Sequence, residues 1–107
     1  MTTFRQGDVL VIYRDRAASG GTPVPREGGR VVLAHGEATG HVHALVDDDV
    51  ELFETAPTPS RSGRHLRLVK RSALLHEEHA PVTLPKGQPE VRRQREYQPG
   101  SIRNIAD

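Results

Sequence analysis

Three histidines fall within the nine residues "HGEATGHVH" (35–43), and two more stand in "HEEH" (76–79). Neutral imidazole is a ligand for Zn, Fe, Ni, Cu or Mn, whereas Mg and Ca take oxygen shells. The chain has no cysteine, so disulfides, thiolate zinc sites, iron–sulfur clusters and cysteine nucleophiles are all excluded. A bound metal must therefore be held by histidine and carboxylate, and the expected cofactor is a divalent transition metal: Zn, Fe, Mn or Ni.

Spacing decides which of these side chains can converge. His41 and His43 are two apart and share a face if they lie on a strand. The intervening "GEATG" can close a hairpin that brings His35, or Glu37, to the same place as a third or fourth ligand. His76 and His79 are three apart, on one face of a helical turn but on opposite faces of a regular strand. If that segment is extended, one of the two joins the site, and His79 is favoured because it runs directly into the strand-like "APVTLP". The expected ligands are thus His41, His43 and His79, with His35 or His76 as a fourth. Glu37 or Glu78 is the candidate catalytic acid/base or supporting group. "HEEH" is not the HExxH pattern of zinc proteases, whose histidines are four apart on a long helix. His65, beside "RSGR", reads as an ordinary surface or hydrogen-bonded histidine.

The elements that must position these groups are short strands. "DVLVIYR" (8–14) is an unbroken, β-branched apolar run, too short for a helix. "RVVLAH" (30–35), "HVHALV" (41–46), "VELFET" (50–55), "HLRLVKR" (65–71), "APVTLP" and "EVRRQREY" follow at strand length, parted by turn signals. "DRAASGGTPVPREGG" (15–29) is a Gly- and Pro-rich loop, and "RSALLHEEHA" (71–80) reads as extended with a turn or bulge. The expected fold is all-β, a small antiparallel barrel or sandwich of seven to eight strands. At 107 residues the chain suits one domain, read as 1–97 with a C-terminal tail at 98–107. With 35% apolar residues, 4% aromatics and no Trp, the core supplies little area per residue. A metal or a second copy of the chain would add stability; the tail reads either as frayed or as packed across a second copy through Ile102 and Ile105, the latter giving a homodimer.

"GEATGHVH" (36–43) resembles the first motif of the cupins, a Gly before an HxH pair on a strand, and "LPKG" (84–87) resembles the PxG turn of their second motif. The resemblance spans roughly residues 31–92. It implies a double-stranded β-helix with a metal in the barrel mouth, and it carries His41 and His43 onto the paired ligands. The glutamate that follows HxH in that family is absent here, the nearest acids being Asp47 and Asp48. Glu90 stands where the third histidine would be, so the third ligand stays open.

A separate reading attaches to "EVRRQREY". Alternation sets Val91, Arg93, Arg95 and Tyr97 on one face, which suits phosphate, or a nucleic-acid base stacked against a guanidinium; it also suits a charged edge strand protected from aggregation. The net charge of +1 gives no global pull toward nucleic acid. The N-terminal stretch carries charge at Arg5, Asp8, Arg14 and Asp15, which fits neither a signal peptide nor a membrane span. No serine sits in a GxSxG elbow. The leading expectation is a cytoplasmic metal-binding β-barrel acting on a small-molecule ligand or substrate. A non-catalytic, metal-stapled accessory or sensor protein comes second, and a phosphate- or RNA-binding barrel third.

Overall fold

In the computed structural model of the chain, residues 1–36 and 40–94 are described. The apolar run near the N-terminus forms β2 (Val9–Tyr13), set between β1 (Thr2–Gln6) and β10 (Glu90–Arg93) in antiparallel register. A strand with neighbours on both edges and cover on both faces favours continuous apolar sequence. Val9 and Val11 accordingly enter the main core while Leu10 and Ile12 are buried on the other side. β1 has no comparable run and was not expected from sequence. It forms because β2 presents an open edge, and it brings Phe4 against the core and Gln6 into it.

The sheet continues through β7 (Arg64–Leu68) and β6 (Val50–Glu54) to the two-residue β3 (Thr22–Pro23), in the order β1-β2-β10-β7-β6-β3. Two antiparallel ribbons complete the fold: β4 (Val31–His35) with β5 (Val42–Leu45), and β8 (Ser72–Leu74) with β9 (Val82–Leu84). Reciprocal backbone bonds between Ala44 and Leu75, at 3.0 and 2.8 Å, join the ribbons. The fold is all-β, with ten strands among the described residues. Of these, β1 and β3 were not among the strands read from sequence.

The core lies between sheet and ribbons. Val9, Val11, Val50, Leu52, Leu66, Leu68 and Val91 face it from the sheet, and Val31, Leu33, Leu45, Leu74 and Leu84 from the ribbons. It is aliphatic throughout, each fully buried side chain contributing about 1.5–3 kcal/mol. Val32, Val42 and Ala44 form a second small cluster on the opposite face of the β4–β5 ribbon.

The sheet's outer face carries buried charge. Glu90, 2% exposed, accepts from Arg14 Nε at 2.9 Å, from Arg92 Nη2 at 2.6 Å and from the Ser62 backbone N–H at 2.7 Å. Burial works against its ionisation, but the bonds from Arg92, Ser62 and Arg14 outweigh it and hold the carboxyl below its ordinary value. Its contribution to stability is therefore present above the unfolded carboxyl's pKa and is lost as the pH falls through the lower folded value. Removing one partner from such a group leaves charge uncompensated. Glu90→Ala, which strands Arg92 in particular, is expected to lower unfolding free energy by about 3 kcal/mol at neutral pH, with a smaller deficit in acid. Urea denaturation at the two pH values checks this.

Candidate metal centre

Four imidazoles meet at one end of the structure, where the β1–β2 turn, the start of β5 and the β8–β9 connection come together. His43 and Leu45 share the inner face of β5, and His41 follows the same alternation just before the strand. The connection supplies His76 and His79. Ring centroids lie 5.6 Å apart for His41 and His76, 4.3 Å for His43 and His76, 4.6 Å for His76 and His79, and 5.8 Å for His43 and His79. His76 is the common neighbour of the other three.

The structure brings both histidines of "HEEH" to this place, whereas a regular strand would admit one. The reason is local: β8 ends at Leu74, and after the Leu75 bridge to Ala44 the chain bends through Glu77–His79 before β9. Strand alternation does not apply across that bend.

His35 does not join. Val31 pairs with Leu45 and Val32 with Ala44, but a bulge follows, so that Ala34 pairs with His43 and His35 with Val42. Without the extra residue, His35 would stand opposite His41 on the inner face. The bulge turns it to the other face, where Nε2 lies 2.8 Å from Glu27 Oε1 in an exposed pair. Glu37 lies outside the described residues.

The cluster is organised by Gln6, a residue that sequence reading did not single out. Its buried amide nitrogen donates to the carbonyls of Leu74 at 2.9 Å and Ala80 at 3.0 Å, pinning both ends of the histidine-bearing connection. The amide oxygen must then face His43 Nδ1, 2.9 Å away. An oxygen acceptor there requires the proton of His43 on Nδ1, which leaves Nε2 with its lone pair directed into the cluster. Burial, and next the charge of His76, push the His43 pKa down to about 4, with Asp8 opposing and His79 and Arg93 adding to the shift. The ring is neutral at pH 7, the form in which imidazole ligates.

Gly7 makes room for this arrangement. It has a φ of 59°, and a Cβ there would approach His79 Nε2 to 2.9 Å and His43 Cε1 to 3.2 Å. Asp8, next in the same turn, sets Oδ1 3.8 Å from His43 Nε2 and Oδ2 3.0 Å from Arg93 Nη2. The basic-strand residue Arg93 is thus already engaged at this site, while Arg95 and Tyr97 lie outside the described residues.

Carboxylates complete the donor set. One ligand atom from each of His41, His76 and Glu77 lies within 4.8 Å of the others; ligands bonded to one metal at about 2.0–2.1 Å stand roughly 3.3 Å apart in a tetrahedron. A small movement of the exposed Glu77 and the half-buried His41 and His76 would bridge that difference. Glu77 accepts from the Val42 backbone N–H at 3.0 Å, and its own backbone N–H and that of Val42 hold the carboxyl below its ordinary pKa, so it is anionic at neutral pH. Sequence reading chose Glu78 rather than Glu77. Glu78 Oε1 lies 3.7 Å from His41 Nδ1, and the Glu78 backbone N–H donates to His76 Nδ1 at 2.9 Å. That bond occupies Nδ1, so His76 would offer a metal its Nε2, or Nδ1 with the bond given up.

The depressed His43 pKa has a definite sign. Its stabilising effect is complete above the unfolded value near 6.5 and is lost as the pH falls toward about 4. In a pH titration followed by NMR, the His43 ring should titrate near 4 in the metal-free wild type, and at a higher pH in His76→Ala, which removes one of the opposing charges.

None of the curated proteins and none of the solved structures compared with this chain gives a match. Among the described residues no helix is long and apolar enough to cross a membrane. Residues 5–94, which run from β1 to the end of β10 and so include every histidine of the cluster, match the family described as Domain of unknown function (DUF8820), and the chain belongs to that family.

Proposed function

We propose that the protein binds one divalent transition metal ion at the histidine cluster, with His41, His76 and Glu77 as ligands and His43 Nε2 and His79 within reach. The observation that carries this reading is the meeting of four imidazoles with an anionic carboxylate beside a His43 tautomer fixed for ligation. Nitrogen ligands with a carboxylate suit Zn, Fe, Mn or Ni.

Two imidazoles and one carboxylate leave coordination positions for water or a small molecule. A pocket of about 240 Å³, walled by Val42, Ala44, Val46 and Leu75 with Arg30 beside them and reaching His76 and Glu77, adjoins the ligands. Its size and walls favour a small molecule with an apolar body. The chemistry that follows is metal-assisted: polarisation of a carbonyl, or activation of water or dioxygen, with Glu78 beside His41 as the proton-carrying group. The cysteine-free chain suits a reducing compartment such as the cytoplasm.

A second reading rests on the number of imidazoles, since four are enough to close the shell. The metal would then staple β5 to the β8–β9 connection, and the protein would act as an accessory or sensor. The phosphate or nucleic-acid reading has less support, because Arg93 is paired with Asp8.

Thermal unfolding separates these outcomes. A metal at about a hundred times its Kd adds about 2.7 kcal/mol, which in a domain of this size raises the melting temperature by roughly 10–20 °C. Wild type is expected to gain on that scale with at least one of Zn, Fe, Mn or Ni, and the His41→Ala, His76→Ala double variant to gain nothing. An open site predicts that the double variant keeps its fold; a staple predicts that it loses it. Equal gains in both proteins would refute binding at this cluster.

A further inference from the structure

His65 lies on the outer face of the six-stranded sheet, since Leu66 and Leu68 on the same strand face the core. The sheet itself separates it from the layer that carries His41 and His43. An outer-face histidine would ordinarily be wet, yet His65 is 4% exposed. Its ring stacks on Phe53, its cross-strand neighbour, with centroids 5.3 Å apart and planes 13° from parallel. Among the described residues the imidazole has no hydrogen-bond partner, although a neutral ring offers one donor and one acceptor.

His65 lines a cavity of about 320 Å³ between the segment Arg16–Ser19 and the turn that carries Thr58 and Arg61. Arg16 and Arg61 also line it, and neither forms an ion pair among the described residues; Arg61 donates to the neutral carbonyl of Arg16 at 3.2 Å. Glu90 is the carboxylate in the lining, but its oxygens are already engaged by Arg14, Arg92 and the Ser62 N–H. The local field is therefore positive. Ala17, Ala18 and Ala56 supply an apolar wall. Burial lowers the His65 pKa, so the ring meets a ligand as a hydrogen-bond partner rather than as a counter-charge.

We propose that this cavity is a second binding site, independent of the metal centre, for a small organic phosphate monoester. Arg16 and Arg61 hold the phosphate, the body lies along the alanine wall, and a polar atom of that body or of the phosphate bonds to His65. Two guanidiniums match a dianion better than a single carboxylate. The volume exceeds what a bare phosphate fills, which is why an organic body is expected.

The test is an NMR titration of the full chain with phenyl phosphate at millimolar concentration, following the six imidazoles of His35, His41, His43, His65, His76 and His79. The expected result is a saturable shift of the His65 ring and an affinity roughly tenfold weaker in Arg61→Ala, the loss of one charge-assisted contact. Arg61 is at the rim and its replacement leaves the core intact, so the comparison does not depend on a His65 variant that folds. A His65 resonance that stays fixed, an affinity that is the same in Arg61→Ala, or shifts confined to the other five rings would overturn the proposal. None of these results depends on whether metal binds at the cluster.

Discussion

The side-chain amide of Gln6 is the constraint on which the functional end of the molecule depends. One buried group makes three bonds to three separate places: the end of β8 at Leu74, the far side of the connection at Ala80, and the imidazole of His43 on β5. The two carbonyls fix the orientation of the amide, the amide fixes the tautomer of His43, and the tautomer leaves Nε2 as the nitrogen with a lone pair. Loss of this side chain would leave a buried imidazole N–H and two carbonyls to find other partners, a penalty of about 1–3 kcal/mol for each group that stays unsatisfied. It would also release the loop that carries His76, Glu77 and His79.

The same logic of faces organises the rest of the fold. The inner surfaces of sheet and ribbons are aliphatic, and the buried side chains of Gln6, His43, Glu90 and Arg92 each have hydrogen-bond partners. On the outer face the Glu90 carboxylate binds the β10 neighbour Arg92 to Arg14 and to the Ser62 backbone. At the end of the core the histidines sit between Leu45 on one side and solvent on the other. A metal bound at such an edge would have strands behind it to hold its ligands.

Much of this was legible in the sequence because it follows from alternation. "DVLVIYR" could only be a covered strand, and the HxH pair had to share a face. What was not legible depends on pairing that no single segment encodes. "TTFRQ" carries no apolar signature, yet it becomes β1 because β2 needs an edge partner, and with it come Gln6 and Asp8. One inserted residue near Leu33 turns His35 away from the cluster. The bend after Leu75 brings His76 and His79 together and sets Glu77, which the sequence reading did not name, beside His41 and His76. The all-β class therefore survives every local misreading, whereas the composition of the site changes with a one-residue shift of register.

The central claim is that the histidine cluster is a metal centre, and elemental analysis tests it most directly. Protein purified without an affinity tag is predicted to contain close to one equivalent of Zn, Fe, Mn or Ni per chain, or to take it up on exposure and keep it through gel filtration, and the His41→Ala, His76→Ala variant is predicted to retain none. A wild-type chain that holds no transition metal and takes up none, with the fold intact, would contradict the account.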